Sequence, residues 1–201
     1  MGKMGDRYGS EFHLLRYLGY HRHDLNRAVE KETGGRVSDW LDFAFGGEGR
    51  LDRERKGVDF VDSASDVKSA WLEFWPQSGN VPNWDAVGRL ESNSGIEYLL
   101  VTIKANGFTA DVEEWLRPYY QYANRLAHLH FLIEHRVRAR LVFIYFCGDN
   151  WNGRTLSSRK PPNCPKDAQQ WESYLKDMYD RLRMKGQSKL EERVHSLFLH
   201  I

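Results

Sequence analysis

Cysteine is scarce in this chain. Only Cys147 and Cys164 occur among 201 residues, and they form no CxxC pair, so neither a disulfide framework nor a thiolate zinc site organises the protein. Long apolar runs are also missing. The longest, Leu141 to Cys147, is far too short to span a bilayer, and the opening Met1-Gly2-Lys3-Met4-Gly5-Asp6 has no apolar core of the kind a signal peptide needs. No charge sign dominates: the formal net charge is +1, with Lys and Arg interspersed among Asp and Glu. Global electrostatics therefore do not direct the chain to nucleic acid, and such a partner would need a local patch. There is no Gly-rich phosphate loop and no His-Glu-x-x-His. His21 and His23, like His128 and His130, are two apart, which on a helix sets them on different faces. Ser157-Ser158 has no supporting base motif. No Pro/Gly/Ser-rich linker divides the sequence, so a single domain over residues 1–201, soluble and cytoplasmic with no membrane partner, is expected.

Aromatic residues are plentiful at 13%, which points to a well-packed core before a base-stacking surface. Ser10 to Thr33 reads as one long helix, capped by Ser10 and stopped by Gly34-Gly35. Val37 to Phe45, interrupted by Asp39 and Asp42, reads as an irregular segment packed on the core, and Gly46 to Asp59 as a loop. Ser65 to Trp75 predicts a short helix closed by Pro76 and Gly79. Asp111 to His135 predicts a further helix, with Pro118 opening a new helical run. Ala139 to Cys147 is almost continuously hydrophobic, as expected of a buried strand. Asp149 to Asn163 reads as a loop, and Lys166–Leu182 and Lys189–Leu197 as C-terminal helices.

The richest stretch is a β-hairpin. Asn83-Trp84-Asp85-Ala86-Val87-Gly88 forms its first strand, Glu91 to Gly95 its turn, and Glu97-Tyr98-Leu99-Leu100-Val101-Thr102-Ile103-Lys104 its second strand. An ionised Asp85 between Trp84 and Ala86-Val87 is costly without a partner, and a structural salt bridge with Lys104 would satisfy it. Thr102 and Lys104 share one face of the second strand, while Glu97 falls on the other. Helix, hairpin, helix and buried strand in this order predict an α/β fold, a mixed central β-sheet flanked by helices.

Several blocks carry a resemblance. They are Leu14-Leu15-Arg16-Tyr17-Leu18-Gly19-Tyr20-His21-Arg22, Phe74-Trp75-Pro76-Gln77-Ser78-Gly79-Asn80, Pro82-Asn83-Trp84-Asp85-Ala86-Val87-Gly88, Tyr119-Tyr120-Gln121-Tyr122-Ala123-Asn124-Arg125-Leu126-Ala127 and Phe143-Ile144-Tyr145-Phe146. Through them the chain resembles a group of uncharacterised bacterial proteins within the restriction-endonuclease-like, or PD-(D/E)XK, superfamily. The resemblance implies an α/β sandwich and a Mg²⁺-dependent nuclease ancestry. In that superfamily two carboxylates hold the metal beside the scissile phosphate, and a lysine assists the attacking water. Asp85 and Lys104 fall on the first acid and the lysine.

Two departures mark this chain. Thr102-Ile103-Lys104 stands where relatives that look active carry Glu-Ala-Lys, and only Ala105 to Glu114 separates that strand from the Tyr-Tyr-Gln helix, where they have a longer helical insertion. A threonine hydroxyl is a poor Mg²⁺ ligand, because hard cations favour anionic oxygen. Glu97 cannot replace the lost acid from the opposite face. Glu11 is the best candidate for a migrated one, although an acid near a helix start also suits the helix dipole. The expected site is then Asp85, Glu11 and the Ile103 carbonyl toward a weakly bound Mg²⁺, with Lys104 assisting water. Gln121 is a further catalytic candidate, and Arg125 a phosphate contact. Gln121, Asn124, Arg125 and His128 form one polar helical stripe, whose bland reading is a solvent face. Arg136, Arg138 and Arg140 make a basic segment near the buried strand. Two functions of different class follow: a metal-dependent nuclease with an impaired site, or a catalytically inactive member of the fold that binds nucleic acid or protein. Thr102 favours the second modestly.

Overall fold

The computed structural model of the protein describes residues 10–41, 55–61, 65–75, 83–104, 119–148, 164–182 and 188–201. Its elements, in chain order, are α1 (Ser10–Tyr20), α2 (Arg22–Thr33), β1 (Arg36–Trp40), β2 (Arg55–Lys56), α3 (Ser65–Phe74), β3 (Asn83–Trp84), β4 (Ala86–Ser92) and β5 (Gly95–Lys104). They continue with α4 (Tyr120–Glu134), β6 (Ala139–Cys147), α5 (Ala168–Leu182), α6 (Ser188–Glu191) and β7 (Val194–His200). The main sheet has five strands in the order β1-β4-β5-β6-β7, and β2 pairs separately with β3. β1 pairs with β4 and β4 with β5 in antiparallel fashion, whereas β5, β6 and β7 are mutually parallel. The fold is thus α/β with a mixed five-stranded sheet flanked by helices. No helix among the described residues is long and apolar enough to cross a membrane.

Strand alternation builds two cores. Leu99, Val101 and Ile103 of β5 join Val142, Ile144 and Phe146 of β6 against Leu14, Leu18, Leu25 and Val29 of α1 and α2. Leu100, with Leu141, Phe143, Tyr145 and Cys147, meets Tyr122, Leu126 and Leu129 of α4 and Trp171, Leu175 and Met178 of α5. β6 is covered on both faces and paired on both edges, which explains its unbroken hydrophobic run. Each large side chain removed from water here contributes roughly 1.5–3 kcal/mol.

Several expectations need correction. The long helix is two: His21 takes φ −126° just after Gly19, a poor helix former. The helical hydrogen bonds continue across it, from His21 N–H to the Tyr17 carbonyl and from Leu25 N–H to that of His21, so both halves keep their apolar stripes on one core. Gly34 ends α2 at φ 71°, as the glycine pair suggests. Arg36–Trp40, expected to be irregular, is an edge strand, and a register shift between Val37 and Asp39 accommodates the acid. The third correction is Lys189–Leu197. Only Ser188–Glu191 is helical, and β7 follows, alternating Leu197 and Leu199 toward one core with Val194 and Phe198 toward the other.

Part of the expected Gly46–Asp59 loop, Arg55–Lys56, is strand β2. Residues 42–54, 76–82, 105–118 and 149–163 lie outside the described residues, and with them the expected stops at Pro76 and Gly79, the helical run around Pro118 and the Asp149–Asn163 loop.

Candidate functional site

Asp85 sits between β3 and β4, facing the end of β5. Its N–H donates to the Val101 carbonyl at 3.1 Å. Its Oδ2 in turn accepts the Ile103 N–H at 3.1 Å and the Thr102 hydroxyl at 2.8 Å. The carboxylate therefore prolongs the β4–β5 ladder one step past the Ala86–Val101 pair, its side chain standing in for a main-chain acceptor. Thr102 is buried at 8% exposure, and its hydroxyl finds in Asp85 the acceptor that burial demands. A second acid at this position would instead bring two negative charges together, a pair that calls for a cation between them.

Lys104 ends β5 opposite Tyr145 of β6. Its side chain, and with it the alternative of an Asp85–Lys104 salt bridge, lies outside what the structure describes, as does the side chain of Glu11. The helix carrying Glu11 begins at the same end of the sheet as Lys104, since the His13 ring lies 5.3 Å from that of Phe146, the residue after Tyr145. α1 packs, however, on the Ile103 face, opposite the face of Thr102. Among the described residues no group of three His, Cys, Asp or Glu side chains converges as a metal cage would. What Asp85 and Thr102 offer is one carboxylate whose Oδ2 already accepts two hydrogen bonds, beside a neutral hydroxyl. That is one acid fewer than the pair the resemblance implies.

The polar stripe of α4 departs from its bland reading. Gln121 is exposed, but Asn124, Arg125 and His128 are buried at 8%, 9% and 1% exposure. The Arg125 guanidinium lies over the Trp84 ring, 4.9 Å from its centroid, and donates to the Asn83 carbonyl. His128 is walled by tryptophans, with ring centroids 4.4 Å from Trp71, 4.4 Å from Trp75 and 5.6 Å from Trp84. Its Nδ1 is 2.8 Å from the Asn124 carbonyl, which can only accept, so Nδ1 carries the proton and Nε2 presents a lone pair. Burial pushes the imidazole pKa down to about 4, the Asn124 carbonyl pulling up and the Arg125 charge pushing down more weakly. His128 is neutral at pH 7. The stripe is covered because α3 and the 55–61 segment lay a third layer over α4, with Val58, Phe60, Val67 and Trp71 in the same core. Gly57 permits that close approach: its φ is +48°, and a Cβ there would stand 2.8 Å from Trp71 Nε1.

A charged cluster occupies the other end of the sheet. Glu97, 2% exposed, accepts from Arg140 Nε at 3.0 Å, Arg193 Nη1 at 3.3 Å and the Ser92 hydroxyl at 2.6 Å. Arg140 also donates to the Thr33 carbonyl at 2.6 Å, at the C-terminal end of α2, where a cation suits the helix dipole. Burial raises the Glu97 pKa, but the hydrogen bonds from Arg140 and Ser92 and the two arginine charges outweigh it and hold the carboxyl below its ordinary value. Glu97 lies on the face opposite Thr102, as strand parity requires. Sequence reasoning did not find this cluster, although an acid in β5 and a base in β6, each inside a hydrophobic run and of matching parity, are its signal. Arg136 and Arg138 lie near this end too, Arg138 donating to the Ser94 carbonyl, so the basic segment and Arg125 are at opposite ends of α4 and β6. Compared with known proteins, the chain matches no family model, no curated protein and no solved structure.

Proposed function

We propose that this chain is a restriction-endonuclease-like protein of metal-dependent phosphodiesterase ancestry whose hydrolytic site is impaired, leaving nucleic acid as its partner class. The observation that carries the reading is the Thr102 hydroxyl donating to Asp85 Oδ2 at 2.8 Å. The residue in the second acid's place has become the hydrogen-bond donor of the first. The strand order supports it, with antiparallel β1, β4 and β5 followed by α4 and the parallel β6, the sequence of elements that the resemblance implies. One carboxylate shared with two protein donors holds a divalent ion weakly.

The test is calorimetric titration of Mn²⁺ together with cleavage assays on plasmid, single-stranded DNA and RNA. Wild type is expected to bind weakly and to cleave nothing measurable, and Thr102→Glu, which rebuilds Glu-x-Lys beside Asp85, to gain both. Tight wild-type binding with cleavage lost in Asp85→Ala would overturn the impairment. It would favour a second reading, in which Glu11 supplies the missing acid; the start of α1 at the Lys104 end of the sheet is what recommends that alternative. A folded Thr102→Glu protein that binds no Mn²⁺ would count against the ancestry itself.

A further inference from the structure

Asn83 and Trp84 are the two residues before Asp85, and Arg125 grips both. Its guanidinium donates to the Asn83 carbonyl and stacks on the Trp84 ring. Trp84 is fully buried, and its Nε1–H donates to the Gly57 carbonyl at 2.9 Å. Behind it, Arg55 and Lys56 pair with Trp84 and Asn83 as the two-stranded sheet. On the other side Asp85 N–H is held by the Val101 carbonyl. The peptide entering Asp85 is thus fixed from α4, from β2 and from β5 at once, and the carboxylate meets Thr102 and Ile103 only if that peptide keeps its direction.

A phosphate contact would ask Arg125 to leave this arrangement. Arg125 is 9% exposed, and withdrawing it would strip the part-buried Asn83 carbonyl of a charge-assisted donor and a tryptophan face of its cation. We propose that Arg125 is a positioning residue for Asp85, which acts through the Asn83 carbonyl and the Trp84 ring to aim the carboxylate at the end of β5, and that it is not a phosphate ligand. The structural part of this inference stands by itself, while its metal-binding part rests on the impaired-nuclease reading above.

The test reads single amides in the full chain by NMR hydrogen exchange. The Ile103 amide is bonded to Asp85 Oδ2 and the Asp85 amide to Val101, so misdirecting the Asn83–Asp85 peptide exposes those two. Arg125→Met should speed their exchange about 10- to 100-fold more than that of amides at the centre of β6, since a hydrogen bond from a charged donor is lost. Leu175→Ala, which loosens the same core from α5, should speed all of them alike. Arg125→Lys keeps the charge but not the planar fork; it should show the same selectivity at smaller size, and it decides the matter if Arg125→Met does not fold. In the Thr102→Glu background, Arg125→Lys should weaken Mn²⁺ binding about tenfold or more, in line with the loss of a supporting hydrogen bond at a metal site. Exchange at Ile103 and Asp85 that merely follows the centre of β6 in every folded variant overturns the proposal. So does a loss of nucleic-acid binding in Arg125→Lys with Ile103 exchange unchanged, which would return Arg125 to the phosphate. If Thr102→Glu alone binds no Mn²⁺, the nuclease ancestry fails while the exchange pattern still decides the role of Arg125.

Discussion

Thr102 and Asp85 meet across the β4–β5 end, hydroxyl to Oδ2 at 2.8 Å, with the Ile103 N–H on the same oxygen. Thr102→Val should therefore destabilise the protein by about 1.5–3 kcal/mol, the range for a hydrogen bond to a charged acceptor. Urea unfolding of wild type and variant measures it. A cost near zero would mean that the Ile103 N–H alone holds the carboxylate.

Lys104 enters through the restored variant. In the Thr102→Glu background, Lys104→Ala is expected to abolish any cleavage gained, because the developing negative charge loses its cationic partner. Cleavage that survives the double change would assign that role to another group.

The two arginines on Glu97 differ in burial, and their deletions should differ accordingly. Arg140 is 20% exposed and Arg193 35%. Arg140→Met leaves a buried carboxylate short of its main donor and should cost about 3 kcal/mol. Arg193→Met should cost about 1 kcal/mol or less, as expected of a contact screened by water. Equal losses in chemical denaturation would contradict this ranking.

Acid should act on His128 before it acts on Glu97. The His128 pKa falls from 6.5 in the unfolded chain to about 4 in the fold, so the unfolded state binds the proton first. The stability His128 contributes is complete above about pH 6.5, fades as pH falls toward 4, and amounts to about 3 kcal/mol at most. Glu97, held below its ordinary 4.5, contributes stability that is present above that value and lost only as pH falls through its lower folded pKa. Melting wild type and His128→Phe between pH 7.5 and 4.5 isolates the histidine. Parallel curves for the two proteins would rule its titration out.

Much of the sheet was legible in residue pattern. Ala139–Cys147 announced a strand buried on both faces, and the alternation in Glu97–Lys104 correctly separated Glu97 from Thr102. β7 was not legible, because Ser188–Glu191 begins helically and the strand shows its period only once β6 is there to receive it. Arg36–Trp40 hid behind Asp39, an acid that only an edge position with a register shift tolerates. The α4 stripe misled for a different reason: helical periodicity says which residues share a face but not what lies against it, and the third layer comes from segments remote in sequence. At the site, the hairpin reading set Asp85 and Lys104 on neighbouring strands, but the partners Asp85 takes are Thr102 and Ile103. That Thr102 would donate to Asp85 instead of merely failing as a ligand needed the structure.

β4 and β5 are neighbours both in the chain and in the sheet, whereas β7 reaches β6 from the far end of the sequence. Loop-closure entropy makes the first pairing fast and the second slow. Asp85, Thr102 and Ile103 lie in that early unit, and the Arg125 that aims Asp85 comes from α4, which also precedes β7 in the chain. Glu97, by contrast, lies in that unit yet takes a donor from Arg193, the residue that leads into β7. Folding should then pass through a stage with the Asp85 end in order and the Glu97 end still open, and pulsed hydrogen labelling would find the Ile103 amide protected before those of β7. Simultaneous protection would refute this order. On this account the two acids of the hairpin mark time differently: Asp85 records the closing of the hairpin, and Glu97 the arrival of the last strand.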